Sequence, residues 1–290
     1  MRTIRITGVP EHFNLPWKNV IARQPFKSEG IQLEWIEESR GSGQMNKAIR
    51  ENETEIALIL TESFLQDFEN GNPSKMIGFH VKSPLIWGIH IPGSCEVDNL
   101  SEIKEPSFLI SRMGSGSQLM SFVLAKREGW QKESLNFKIV GNLPGALEAM
   151  SPEDPDMFLW EKYTTKAWVD SGDFKRIGEV PSPWSCFVIV ASNKALETSE
   201  DVIIQLRDLV YEEAAKLQKS EDLPNLIHNN YDLAVEDVKA WLSQTTWATT
   251  PEVSRRDMDL AMNEMAELGI LKNRLRLEDF LVIGKLSLIE

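Results

Sequence analysis

The sequence predicts an α/β protein of two lobes, each a mixed sheet with flanking helices. Three observations predict it. Residues 3–60 alternate strand and helix patterns, and a second alternation opens near Phe108. The chain has 290 residues, and domains average roughly 150 residues, so two lobes are the natural division.

The elements justify this in order. Thr3–Val9 alternates, with Ile4 and Ile6 against Arg5 and Thr7, and reads as a strand ended by Pro10. Phe13–Ala22 reads as a helix, with Asn14 as cap and Pro16 in its first turn. Ile31–Ile36 is a second strand. Gly41, Ser42 and Gly43 open a helix over Gln44–Glu51, with Met45, Ala48 and Ile49 at helical spacing. Glu55–Leu60 is almost wholly apolar, as in the centre of a parallel sheet covered on both faces. Such strand–helix alternation is a doubly wound opening, whose ligands bind beyond the carboxyl ends of strands.

Phe79–Ile91 reads as a long extended segment in which Pro84 argues for an edge or a bend. The second unit runs from the Phe108–Ser111 strand through a glycine-rich turn, Arg112–Ser117, into a helix over Gln118–Glu128. A strand at Asn136–Val140, a short helix at Gly145–Met150 and a strand at Asp156–Trp160 follow, repeating the first architecture at half scale. Phe174–Val180 and the strong strand Ser185–Ala191 come next. Helices are expected at Ser199–Leu217, Asn229–Val238, Val235–Gln244 and Pro251–Leu268, the last closed by Gly269. Asp201, Leu206, Leu209, Val210 and Ala214 set the stripe of the first of these. Leu277–Val282 packs late.

Composition excludes several classes. Asp plus Glu number 44 against 31 Lys plus Arg, a formal net charge of −13. Such a field repels nucleic acid and anionic membranes, although screening over about 10 Å leaves room for a local anion pocket. No window holds ~20 uninterrupted apolar residues, so no membrane insertion is expected. Cys95 and Cys186 read as buried free thiols, with one disulfide between them as the alternative. His12, His80, His90 and His228 are too dispersed for a metal site, and no metal or cofactor is expected. The N-terminus lacks the apolar region of a secretory signal, so a cytoplasmic location is expected.

Several stretches together carry a resemblance. VPEHFNLPW follows the first strand, RMGSGSQLM follows a later one, and DMFLWEKYTTK closes a third. A proline-interrupted crossing precedes the middle unit and an apolar return strand follows it. The chain resembles the type II periplasmic-binding-protein family, in its sulfonate, nitrate and thiamine-pyrimidine branch, and above all that family's leaderless intracellular members. The resemblance implies two lobes, residues 1–90 plus 188–290 and residues 91–187, joined by two crossing strands as a hinge, with a ligand in the interlobe cleft. The missing leader argues against a transporter partner.

Four groups of residues are candidates for that site. In Arg112, Gly114, Ser115, Gly116 and Ser117, glycines allow a tight turn that bares N–H groups at a helix start. The hydroxyls and Arg112 would add donors and charge there. On the residues alone, a turn with an ordinary cap at Ser117 is the plainer reading; the resemblance makes it a ligand loop. Gly8, Pro10, Phe13 and Trp17 offer close backbone approach and an aromatic wall, the alternative being that Phe13 and Trp17 are core. His12, beside them, reads as a surface histidine. Thr61 and Glu62 follow a strand and could accept from a ligand, or Thr61 could cap a helix. Trp160, Glu161 and Tyr163 end another strand, and Trp87 and Trp184 mark the crossings, where Pro181 and Pro183 stiffen a hinge entrance.

No GxSxG, Walker or HExxH motif stands out. The sequence therefore supports binding of a small, partly anionic organic molecule. The alternative is an intracellular enzyme of the same fold acting on a chorismate-derived or pyrimidine-like substrate, with Glu62, Glu161 or His12 as its acid or base.

Overall fold

The computed structural model describes residues 2–231 and 233–290. The chain divides into two compact units, one comprising everything up to Pro84 and from Pro183 onward, the other Leu85–Ser182. The sequence reading placed the divisions at residues 90 and 187.

In the first unit β1 (Arg2–Gly8), α1 (Leu15–Arg23), β2 (Ile31–Glu37), α2 (Ser42–Arg50), β3 (Ile56–Leu60), α3 (Thr61–Glu69) and β4 (Ser74–Val81) follow one another. The second unit holds β5 (Ile86–Pro92), β6 (Ser107–Ile110), α4 (Gly116–Glu128), β7 (Asn136–Ile139), α5 (Leu143–Ala149), β8 (Met157–Glu161), α6 (Lys166–Ser171) and β9 (Phe174–Pro181). The chain then re-enters the first unit through β10 (Phe187–Ser192) and α7 (Asn193–Leu217). It ends with α8 (Leu223–Tyr231), α9 (Val235–Leu242), β11 (Glu252–Ser254), α10 (Arg255–Glu267), α11 (Leu277–Phe280) and β12 (Ser287–Ile289).

The two main sheets share one plan. The first has the order β2-β1-β3-β10-β4 and the second β7-β6-β8-β5-β9. β1 pairs in parallel with β2 and β3, as β6 does with β7 and β8. The next strand, β10 or β5, is antiparallel to both its neighbours. β1 and β6 are thus equivalent: from each the chain crosses to one side and then to the other. That is a topological switch point, where the carboxyl ends of parallel strands leave room for a ligand.

Apolar strand faces set the core. β3, as its near-continuous apolar run requires, is buried at the sheet centre, but one of its neighbours is the antiparallel β10, so the sheet is mixed. Helices α1 and α7 pack together, α2, α3 and α10 form a second group, and α4 lies on β6, β8 and β9. In the second unit Leu109, Leu143, Ala146, Phe158 and Phe174 form a core cluster. Both cysteines are buried, and neither forms a disulfide among the described residues.

Several expectations are corrected. The extended Phe79–Ile91 segment is two strands, one at the edge of the first sheet and one inside the second, with Pro84 in the break. Asn14 stands at the cap of α1, but its side chain donates to the Val9 carbonyl instead of capping. The helix expected over Asn229–Val238 is the end of α8 and the start of α9; residue 232, between them, lies outside the described residues. Residues 252–254, expected as helix, pair with β12, and α10 starts after the Ser254 cap. α7 begins before Ser199, which forms a kink within it, and Asp201 is exposed, off the buried stripe. α3 was foreseen only in the alternative that Thr61 caps a helix, and α6 was not anticipated.

One close approach fixes how α7 lies on β4. Gly78 has φ +152°, and an added Cβ would meet the Tyr211 hydroxyl at 2.1 Å. That hydroxyl donates to the Phe79 carbonyl at 2.9 Å. Beside it the buried Arg207 donates to the Ile77 and Lys285 carbonyls. Gly78→Ala must therefore displace a buried tyrosine and strain the backbone. The expected loss is about 2 kcal/mol or more of unfolding free energy, measured by urea denaturation. A loss within about 0.5 kcal/mol, as at an ordinary surface position, would contradict this packing.

Candidate functional site

The sixteen residues expected at the site divide into two groups, one in each unit; all but Trp87 and Trp184, which stand at the amino ends of β5 and β10, lie at or after the carboxyl ends of equivalent strands.

In the second unit the chain leaves β6 through Ser111–Ser117. Gly114 takes a left-handed φ of 72°, which glycine adopts without strain. The helix cap is Ser115, not Ser117: its hydroxyl accepts from the Gln118 N–H at 3.3 Å. The Gln118 side chain reaches back and accepts from the Gly114 N–H at 2.6 Å. This is a variant of the capping box, and Ser-x-x-Gln was its sequence signal. Ser117 is buried; its hydroxyl accepts from the Ser111 N–H at 3.1 Å and lies 3.0 Å from that of Ser115. The loop is thus pre-formed. Its Gly114 amide is taken by the protein itself, and Gly116 and Ser117 supply the first N–H groups of a 13-residue helix. Arg112 is exposed, and its guanidinium donates to the Met113 carbonyl.

β8 ends beside this loop. Trp160 is half-buried and stacks on Phe158, with centroids 5.2 Å apart. Glu161 is buried, and its carboxylate accepts from the Tyr163 N–H, the Thr164 N–H and the Thr164 hydroxyl. Burial pushes its pKa up, and these donors hold it down in part. Glu161 is therefore committed to its own turn. Tyr163 is buried with Lys162 over its ring, and Trp87 of β5 lies in register opposite Glu161.

In the first unit Gly8 ends β1, and an added Cβ would lie 2.5 Å from the Trp35 ring. Pro10 is exposed, Phe13 is buried against Phe187 and Trp241, and Trp17 has no exposed surface. The loop between Gly8 and α1 is held from below. Trp247 donates to the Phe13 carbonyl at 2.7 Å, and His80 Nε2 lies 3.2 Å from Asn14 Oδ1. His12, expected at the surface, is buried between Phe13 and Trp241, with Tyr231 further out. Burial lowers its pKa to about 3, so it is neutral. Helices α8 and α9 bring Tyr231 and Trp241 to this loop across more than half the chain, and no local pattern signals that.

Thr61 does not cap α3; it is the helix's first residue. Its hydroxyl donates to the Ser185 carbonyl at 2.6 Å, and its N–H to that of Cys186 at 2.9 Å. Glu62 is buried and accepts from the Trp184 indole N–H at 2.8 Å. The end of β3 thus clamps the returning segment before β10. Burial raises the Glu62 pKa to about 7, against the opposing pull of the Trp184 bond.

These groups oppose one another in acid. His12 and His80, lowered to about 3, and His90, lowered to about 4, bind protons more readily in the unfolded chain. Their stabilising contribution is present above about pH 6.5 and is lost as pH falls toward those values. Glu62 acts in the opposite sense: its contribution is present below about pH 4.5 and is lost as pH rises through about 7. Glu62→Gln should therefore steepen the loss of stability between about pH 6.5 and 4.5, by up to about 3 kcal/mol across the window. Urea denaturation at a series of pH values measures it; an unchanged slope would mean that Glu62 is ionised throughout.

Comparison with known proteins follows this geometry. A family model described as Ca3427-like PBP matches residues 88–180. The CA3427 gene product of Candida albicans, described as exhibiting the generic periplasmic binding protein fold, is 26% identical with a TM-score of 0.88, covering 100% of this chain and 99% of that one. The alkanesulfonate-binding protein SsuA from Xanthomonas axonopodis pv. citri, bound to MOPS, is 13% identical with a TM-score of 0.77, covering 100% and 99%. The periplasmic nitrate-binding protein NrtA from Synechocystis PCC 6803 is 10% identical with a TM-score of 0.72, covering 99% and 86%. No curated protein matched the sequence. With its two mixed sheets of one plan and these likenesses, the chain has the two-lobed periplasmic-binding-protein fold, and its residues 88–180 are similar to the Ca3427-like PBP family.

Proposed function

We propose that this protein binds a small organic anion of the sulfonate or carboxylate class. The observation that carries the proposal is the pre-formed loop at the switch point of the second sheet, where β6 hands the chain to α4. Gly116 and Ser117 begin that helix with the dipole's positive end, and the Ser115 and Ser117 hydroxyls stand beside them. Two of the similar proteins are named for an anion they bind, an alkanesulfonate and nitrate. In this reading Gly114–Ser117 receives the anionic head and Arg112 adds long-range attraction. The half-buried Trp160 walls the organic body, and Trp87 and Tyr163 stand at Glu161 at the same strand end.

The first-unit residues take a supporting part. Gly8 and Pro10 would present backbone at the end of β1. Phe13, Trp17, Thr61, Glu62 and Trp184 are buried, so they shape and hold the strand ends from beneath. Catalysis by Glu161 has little support, because three donors already hold its carboxylate.

Native mass spectrometry of freshly purified protein, followed by calorimetric titration with aliphatic sulfonates, phosphonates, nitrate and small carboxylates, tests the proposal. At least one anion should bind and raise the melting temperature, by the equivalent of about 2.7 kcal/mol at a hundredfold excess over Kd. Ser117→Ala should weaken that binding about tenfold. Binding confined to cations or neutral molecules would refute it. Product formation that disappears in Glu62→Gln would favour the enzyme instead.

A further inference from the structure

We propose that the face formed by α10 and β12 is a self-association surface that takes a second copy of this chain. The first observation is a free strand edge. β12 pairs with β11 alone in a two-stranded sheet, and all three of its residues are exposed. An unpaired edge of this kind is a template for another strand.

The second observation is where apolar side chains remain uncovered. Among the described residues, the large exposed ones outside this region are Met113 and Ile139. The remainder, Leu260, Ile283, Leu288 and Ile289, lie on α10, on β12 or just before β12. Leu260 and Glu290 line one surface groove of ≈ 430 Å³, with Arg255, Arg256 and Asp259 around it.

The third observation selects the occupant. The four charged residues of the groove carry two positive and two negative charges on a chain of net charge −13. Among the described residues none of the four makes an ion pair or side-chain hydrogen bond. A groove whose four charged side chains balance and are unspent lets a two-fold partner set its acids against these arginines. Two such faces meet without the repulsion that acidic surfaces elsewhere on the molecule impose. A two-fold contact is isologous, so antiparallel pairing of β12 with its copy sets Leu288 beside Leu288 and offers each arginine pair the other copy's acids. The paired strands are only three residues long. The contact is therefore small, and dimer and monomer exchange with concentration.

Sedimentation velocity over roughly a hundredfold range of protein concentration tests the proposal. The wild-type mass should move from one chain toward two as concentration rises. Leu288→Lys should weaken association about tenfold or more while leaving the melting temperature of the dilute protein unchanged, because the side chain is exposed. The double variant Arg255→Glu with Arg256→Glu should fail to self-associate, as should Asp259→Arg with Glu290→Arg. An equimolar mixture of the two should recover dimers. A wild-type protein monomeric throughout overturns the proposal, including the outcome in which the monomer adds a foreign extended peptide to β12. Charge-reversed variants that dimerise like the wild type overturn it as well.

Discussion

The proposed binding depends on one constraint, the handover from a central parallel strand to the helix that follows it. β1 and β6 each have parallel neighbours on both sides, so their carboxyl ends open away from the sheet. The first N–H groups of a helix have no partner within it. At β6 the protein satisfies some of that need itself: the Ser115 hydroxyl takes the Gln118 N–H, and the Gln118 side chain takes that of Gly114. What remains, at Gly116 and Ser117, is a small set of donors fixed in advance by a turn that does not need to reorganise. Pre-organisation of this kind reduces the ordering cost of binding.

The equivalent end of β1 is built to a different chemistry. There the loop is packed from beneath by aromatic rings and tied through backbone carbonyls to Asn14 and Trp247. Burial keeps His12 and His80 neutral, so this end of the sheet offers shape and apolar contact more than charge. At β3, Thr61 and Glu62 hold the returning segment at Trp184, Ser185 and Cys186. One strand plan, used twice, thus carries a polar loop in one unit and an aromatic one in the other.

Much of the plan was legible in the sequence, because its strands are short and strongly patterned. The alternation of Ile4 and Ile6, the EIALIL run and the FLIS strand before RMGSGS locate three strands of the two sheets. What could not be read depends on distant segments. His12 looks like a polar loop residue until α8 and α9 cover it. The expected Val235–Gln244 helix is α9, but the Asn229–Val238 helix was misplaced, because Leu223, Ile227, Val238 and Trp241 make two short stripes, which a single periodicity blurs. The Ser115 cap was legible and was missed: Gln118 three residues on is its signal, whereas Ser117 drew attention by its place in the Gly-Ser run. Glu161 reads as a free carboxylate in sequence, and only the backbone turn after β8 shows that its own neighbours occupy it.

Amide chemical shifts of Gly116 and Ser117, followed by NMR as an alkanesulfonate or another small organic anion is titrated in, test the central claim most directly. A saturable downfield movement at those two amides, absent for Gly114, is the predicted result. An anion that binds and moves amides elsewhere while Gly116 and Ser117 stay still would contradict it.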